Sequence, residues 1–160
     1  MKKIFIILLL LNTVYAFSQS GVCSNFHRKN CGSGSKSSNG WSYNAQSKSG
    51  LFNQGMTSKI RCVIYKGMDY RINVCCETSF GEKLNYKIFD ARTNEVLYDN
   101  AIAEDEPSFE FQSTATRQLI IEVTVPQGSV EKEDHKPSDA ACVGLLIEHK
   151  VTNKQGFSSY

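Results

Sequence analysis

Histidine, tryptophan and proline are scarce in this 160-residue chain, with three, one and three copies. The histidines His27, His135 and His149 stand far apart, and no H-E-x-x-H spacing exists. There is no G-x-S-x-G elbow and no phosphate-cradling glycine loop. These absences remove the common signatures of zinc hydrolases, serine hydrolases and nucleotide-binding enzymes. The pairs Ser33–Lys36 and Ser129–Lys132 match the S-x-x-K pattern, but the supporting S-D-N and K-T-G elements are missing. No catalytic residue, metal ligand or cofactor-binding residue follows from such material, and no cofactor is expected.

Long apolar runs are also lacking, with one exception at the N-terminus. Lys2 and Lys3 precede the apolar stretch Ile4 to Leu11, and Ala16 and Ser18 fit a small-x-small cleavage site. The run stops at Asn12, short of the ~20 apolar residues that span a bilayer. Residues 1–18 therefore read as a secretory signal peptide, with no membrane span left after cleavage. The full chain has 18 basic and 16 acidic residues. Removing the leader takes away two lysines and no acid, so the mature formal charge is zero. Nucleic acid is not an expected partner of such a chain.

Cysteine is not scarce. Cys23, Cys31, Cys62, Cys75, Cys76 and Cys142 all lie beyond the leader. An even count in an exported chain points to disulfides. The spacing Cys23-x3-His27-x3-Cys31 would bring three metal-ligand types to one helical face. The oxidising compartment and a loop-like composition favour a local Cys23–Cys31 bridge instead. Cys75 and Cys76 are strand neighbours and point to opposite faces. One of them is expected to bond Cys142, and Cys62 the other. A three-residue turn at Gly67-Met68-Asp69 would set Cys62 opposite Val74, with Cys76 diagonal to it.

Residues 19–40 are rich in Ser, Gly and Asn and read as a flexible arm. From Trp41 the apolar residues alternate with period two, as in half-buried strands. The expected strands are 41–45, 59–65, 70–76, 83–89, 95–99, 108–112, 117–125 and 141–151. This set describes an all-β fold, an antiparallel two-sheet β-sandwich of jelly-roll type, over residues 41–151. The expected core comprises Ile60, Ile64, Ile72, Val74, Leu84, Tyr86, Ile88, Phe109, Phe111, Leu119, Ile121, Val123, Val143, Leu145 and Ile147. Residues 140–147 are apolar on both faces apart from Gly144. That marks the last strand as central and covered on both sides. Residues 152–160 form a C-terminal tail.

The spacing G-x-x-Y-x-I-x-V at Gly67, Tyr70, Ile72 and Val74 is followed by Leu84, Tyr86, Ile88 and Asp90. This pattern, over roughly Lys59 to Asp99, resembles the bacterial pre-peptidase C-terminal domains and related jelly-roll modules of secreted proteins. The resemblance implies a non-catalytic accessory or binding role.

One aromatic pair can carry recognition. Trp41 and Tyr43 share a strand face and are candidate ligand contacts, since aromatic rings stack on sugars. Asp99, Glu104, Asp105 and Glu106 form an acidic turn that lacks the D-x-D-x-D-G calcium spacing. The polar loops 32–40 and 127–139 are further places for recognition. The expected function is a non-enzymatic exported module that binds a protein or a glycan at the cell envelope or outside the cell. The alternatives are a small hydrolase, using His135 or His149 with Glu133, Asp134 or Asp139, and a purely structural envelope protein.

Overall fold

The computed structural model describes residues 21–32, 40–78, 84–127 and 140–152. The expected leader, the loop residues 33–39 and 128–139, and the tail residues 153–160 lie outside these. Two antiparallel sheets pack face to face. The larger contains β1 (Ser42–Tyr43), β2 (Lys48–Asn53), β4 (Met68–Cys76), β7 (Ser108–Gln112) and β9 (Ala140–Val151). The smaller has the order β3-β8-β5-β6, from β3 (Thr57–Ile64), β8 (Arg117–Thr124), β5 (Asn85–Asp90) and β6 (Val96–Asp99). The all-β sandwich expected from the alternation is the fold observed.

The period-two pattern has a direct physical outcome. In β4, Tyr70, Ile72 and Val74 are buried while Arg71 and Asn73 lie at the outer face. In β8, Leu119, Ile121 and Val123 do the same against Gln118, Ile120 and Glu122. All fifteen residues of the expected core belong to the observed cluster, with Ile60, Phe109 and Phe111 at its partly buried margin. Phe52, Cys62, Tyr70, Val125 and Ala141 complete it.

β9 is central, with β4 on one side and both β1 and β2 along the other. Every residue from Ala141 to Ile147 is buried. The corner between β1 and β2 is held by Ser47, whose hydroxyl donates to the Ile147 carbonyl and accepts from the Ile147 N–H. Asn100 does similar work beside β5. Its side-chain oxygen accepts the Tyr86 N–H at 2.7 Å and its amide donates to the Leu84 carbonyl at 2.7 Å.

Three expectations need correction. β2 was absent from the expected strands, because its inward positions are Lys48, Gly50 and Phe52 and show no apolar alternation. The segment Gly67-Met68-Asp69 does not close a hairpin. β3 pairs with β8 in one sheet and β4 with β7 and β9 in the other, so the turn crosses between sheets. Cys62 consequently faces Leu119 in register, not Val74.

The third correction concerns the arm and its bridges. Residues 21–32 pack on the larger sheet through a short helix, α1 (Phe26–Asn30). Cys23 is bonded to Cys142 and Cys31 to Cys75, with Cα–Cα distances of 5.4 and 5.1 Å. There is no Cys23–Cys31 bridge, and Cys62 and Cys76 are thiols. The outward side of Cys75, set by strand parity, is the side on which α1 lies.

Candidate functional site

α1 lies on the outer face of the larger sheet, across β9 and β4, with a disulfide at each end. Gly144 is what lets it approach. A Cβ there would overlap Cys31 Sγ and sit 2.8 Å from His27 Cα. His27 points into the contact and is buried. Ser49 Oγ accepts the His27 backbone N–H at 2.8 Å and lies 2.6 Å from Nδ1. Nε2 lies 3.1 Å from the Tyr43 hydroxyl. A neutral ring with the proton on Nε2 satisfies both contacts. Burial lowers the His27 pKa first, and the charges of Arg28 and Lys48 lower it further. The Cys23/His27/Cys31 set does share one face, but that face is spent on the sheet, with both sulfurs bonded.

The two aromatic candidates sit beside this clamp. Trp41 is only 3% exposed. The Arg71 guanidinium stands 4.4 Å from its ring centre and the Lys150 ammonium 4.3 Å. Tyr43 is half-exposed, with the Arg28 guanidinium 4.0 Å over its ring and His27 alongside at 5.9 Å between ring centroids. Across the sheet, Tyr43, Glu148, Arg71 and Glu110 form one cross-strand row. Arg71 Nε donates to Glu110 at 2.6 Å, and its Nη1 lies 3.5 Å from Glu148. The cations that would otherwise be open to an anion or a sugar are committed to these rings and carboxylates.

The thiols are quiet. Burial pushes Cys62 up to about 11, and burial together with Glu77 does the same to Cys76. Neither has the thiolate character of a nucleophile. Of the enzyme candidates, His135, Glu133, Asp134 and Asp139 lie outside the described residues. His149 faces inward beside Tyr70, with ring centroids 6.2 Å apart and its Nδ1 buried without a hydrogen-bond partner among the described residues. The acidic turn is tied locally. Asp99 pairs with Lys87 at 2.8 Å and accepts the Ala101 N–H, which hold its carboxyl below the usual carboxylate range. Glu104 and Asp105 take left-handed backbone conformations there.

The opposite flank of the sandwich carries a feature that sequence reasoning missed. Edge strand β6 and the turn after it expose Val96, Leu97 and Ile102, the last 84% open. Between edges β6 and β7 is a cleft of about 180 Å³, lined by Leu97, Phe109, Phe111, Ile64, Ile88 and Leu119. Behind it runs a file of rings. Tyr86 meets Tyr98, Tyr98 stacks on Phe109 at 4.0 Å, Phe109 meets Phe111, and Phe111 meets Tyr70. The register of β6 on β5 slips between Ile88 and Phe89, which turns Leu97 out of the regular ladder. The alternation in EVLYD shows a short strand and gives no sign that both Val96 and Leu97 stay exposed.

No protein-family profile matches the chain, and no curated protein sequence matches it. Among solved structures it is similar to PliG of Aeromonas hydrophila, a periplasmic lysozyme inhibitor of g-type lysozyme. The likeness has 12% identity and a TM-score of 0.46, over 69% of this chain and 87% of that one.

Proposed function

We propose that this chain is an exported, non-enzymatic β-sandwich module that binds another protein outside the cytoplasm, at the cell envelope or beyond. The observation that carries the reading is the apolar flank at β6. Val96, Leu97 and Ile102 are all exposed on β6 and the turn after it, and Leu97 lines a cleft floored by aromatic rings. Apolar residues clustered on an edge are costly to leave in water and mark protein contact sites. Glu95, Glu104 and Glu106 stand in the adjoining turns, and Arg117, paired with Asp90 at 3.6 Å, lines the cleft itself. The complementary partner surface is apolar where it meets Leu97 and the cleft.

Two disulfides support the compartment, since such bridges persist where the surroundings are oxidising. Among the described residues no helix is long and apolar enough to cross a membrane. A protein partner is favoured over a glycan because the flank is aliphatic, while the rings of Trp41 and Tyr43 are already occupied by cations. The test is a pull-down from envelope extract with the mature chain, beside a glycan array. A protein retained by the wild type and lost from Leu97→Asp and Ile102→Asp is the expected result. Retention of a glycan alone, or of the same protein by both variants, overturns the reading.

A further inference from the structure

The two sheets also part on the flank away from β6, between edge strands β2 and β3, and leave a cavity of about 320 Å³. Its floor is apolar, made by Ile60, Ile121, Val123, Val143, Leu145 and Phe52. Two clasps bound the opening. At one end the Gln46 side chain accepts the Val63 N–H at 2.7 Å and donates to the Val63 carbonyl at 3.0 Å. At the other, the turn after β2 is tied to Val125 through Gly55 N–H and Met56 C=O, each at 3.0 Å.

The opening follows from two residues at positions that would normally fill it. Gly50 stands opposite Val143 on the inward face of β2, between Lys48 and Phe52. Ser58 stands opposite Val123 on the inward face of β3. A bare glycine inside a strand weakens it and often marks close approach of a ligand. A Cβ added at Gly50 would meet the Phe52 ring at 3.3 Å, and among the described residues nothing else comes within 4 Å. The space beyond is the cavity.

The rim carries two lysines in different states. Lys59 is paired with Glu122 at 2.7 Å. Lys48 is exposed, and among the described residues no carboxylate pairs with it. Apolar pockets of roughly 300–1,000 Å³ with a few placed polar groups are typical of small-ligand sites. We infer that this lateral opening binds a free medium-chain carboxylate, with its alkyl chain between the sheets and its anionic head at Lys48. The site is separate from the β6 flank and does not depend on the reading given to it.

Titration calorimetry on the mature chain tests this, with hexanoate, octanoate, decanoate and decanol kept below their aggregation limits. Decanoate binds one per chain, and affinity falls about fourfold for each methylene removed, the value of a buried CH₂. Lys48→Met weakens decanoate about fivefold, the size of an exposed ion pair, and leaves decanol unchanged. Gly50→Val fills the cavity and removes binding of both. Ser58→Leu fills it from the opposite wall and serves if Gly50→Val fails to fold. The inference is overturned by a lack of saturable binding at every chain length. It is also overturned by undiminished binding to a filled variant with wild-type circular dichroism. Binding only to phosphatidylglycerol vesicles, or only to an apolar peptide, overturns it as well.

Discussion

Gly144 lies directly beneath Cys31, and the absence of a side chain there is what allows α1 to rest on β9. His27 Cα is the next atom a Cβ would meet, at 2.8 Å. Gly144→Val should therefore lift α1 from the sheet without disturbing the interior. A cost of about 1–3 kcal/mol is expected from the overpacking. Urea denaturation gives the loss in stability. Hydrogen exchange should place it in residues 21–32, and a loss spread evenly over both sheets would show that the contact is not local.

The bridges make a sharper prediction. Non-reducing peptide mapping should return Cys23–Cys142 and Cys31–Cys75, with Cys62 and Cys76 alkylated only after unfolding. Their thiols sit near 11, so native labelling at pH 8 should be slow. The paired change Cys31→Ser with Cys75→Ser should cost about 2–4 kcal/mol. A Cys23–Cys31 peptide in the map would contradict the structure.

Much of this was legible in the residues, and the failures have physical causes. Alternation reports which face of a strand is buried, so the core residues and the central, doubly covered position of β9 could be read directly. Alternation does not report which strand lies alongside. Gly67 therefore looked like a hairpin turn, although with a φ of 79° it serves equally well in a crossing between sheets. β2 was hidden by Lys48 and Gly50, and Gly50 is also one of the two residues that open the β2–β3 cavity. The pairing of Cys31 with Cys75 had a usable sign, because Cys75 was already on the outer face and needed a partner above the sheet. What placed α1 there was Gly144, and a single glycine in an apolar run does not say what lies on it.

His27 gives the clamp a pH dependence whose sign follows from its lowered pKa. Burial, then Arg28 and Lys48, disfavour the charged ring in the folded state. The unfolded chain binds the proton more readily, near the ordinary value of 6.5. Stability is thus complete above about pH 6.5 and falls as the pH drops through it. Melting curves between pH 8 and 5 should show this fall, and His27→Gln should flatten it. Asp90 and Asp99 also have lowered values, with ordinary values of 3.8, so their contribution is lost only at more acid pH. A slope unchanged in His27→Gln would remove His27 from the account.

Asn100 is buried with both ends of its amide bonded to the β5 backbone. Asn100→Ala leaves the Tyr86 N–H and the Leu84 carbonyl unpaired in the interior. The expected cost is about 2–4 kcal/mol. Asn100→Asp keeps the acceptor for Tyr86 N–H and loses the donor to Leu84, so it too should be destabilising. Equilibrium denaturation of the two variants checks this, and a loss under about 0.5 kcal/mol in both would show that water replaces the amide.

The central claim is that the β6 flank meets a protein partner. Site-specific photo-crosslinking in the envelope tests it most directly, with the probe placed at Leu97 in one chain and at Thr57, on β3 across the sandwich, in another. The account predicts a discrete protein adduct from position 97 that is missing from position 57 and suppressed by Ile102→Asp. Adducts of equal yield from both positions, or none from position 97, would contradict it.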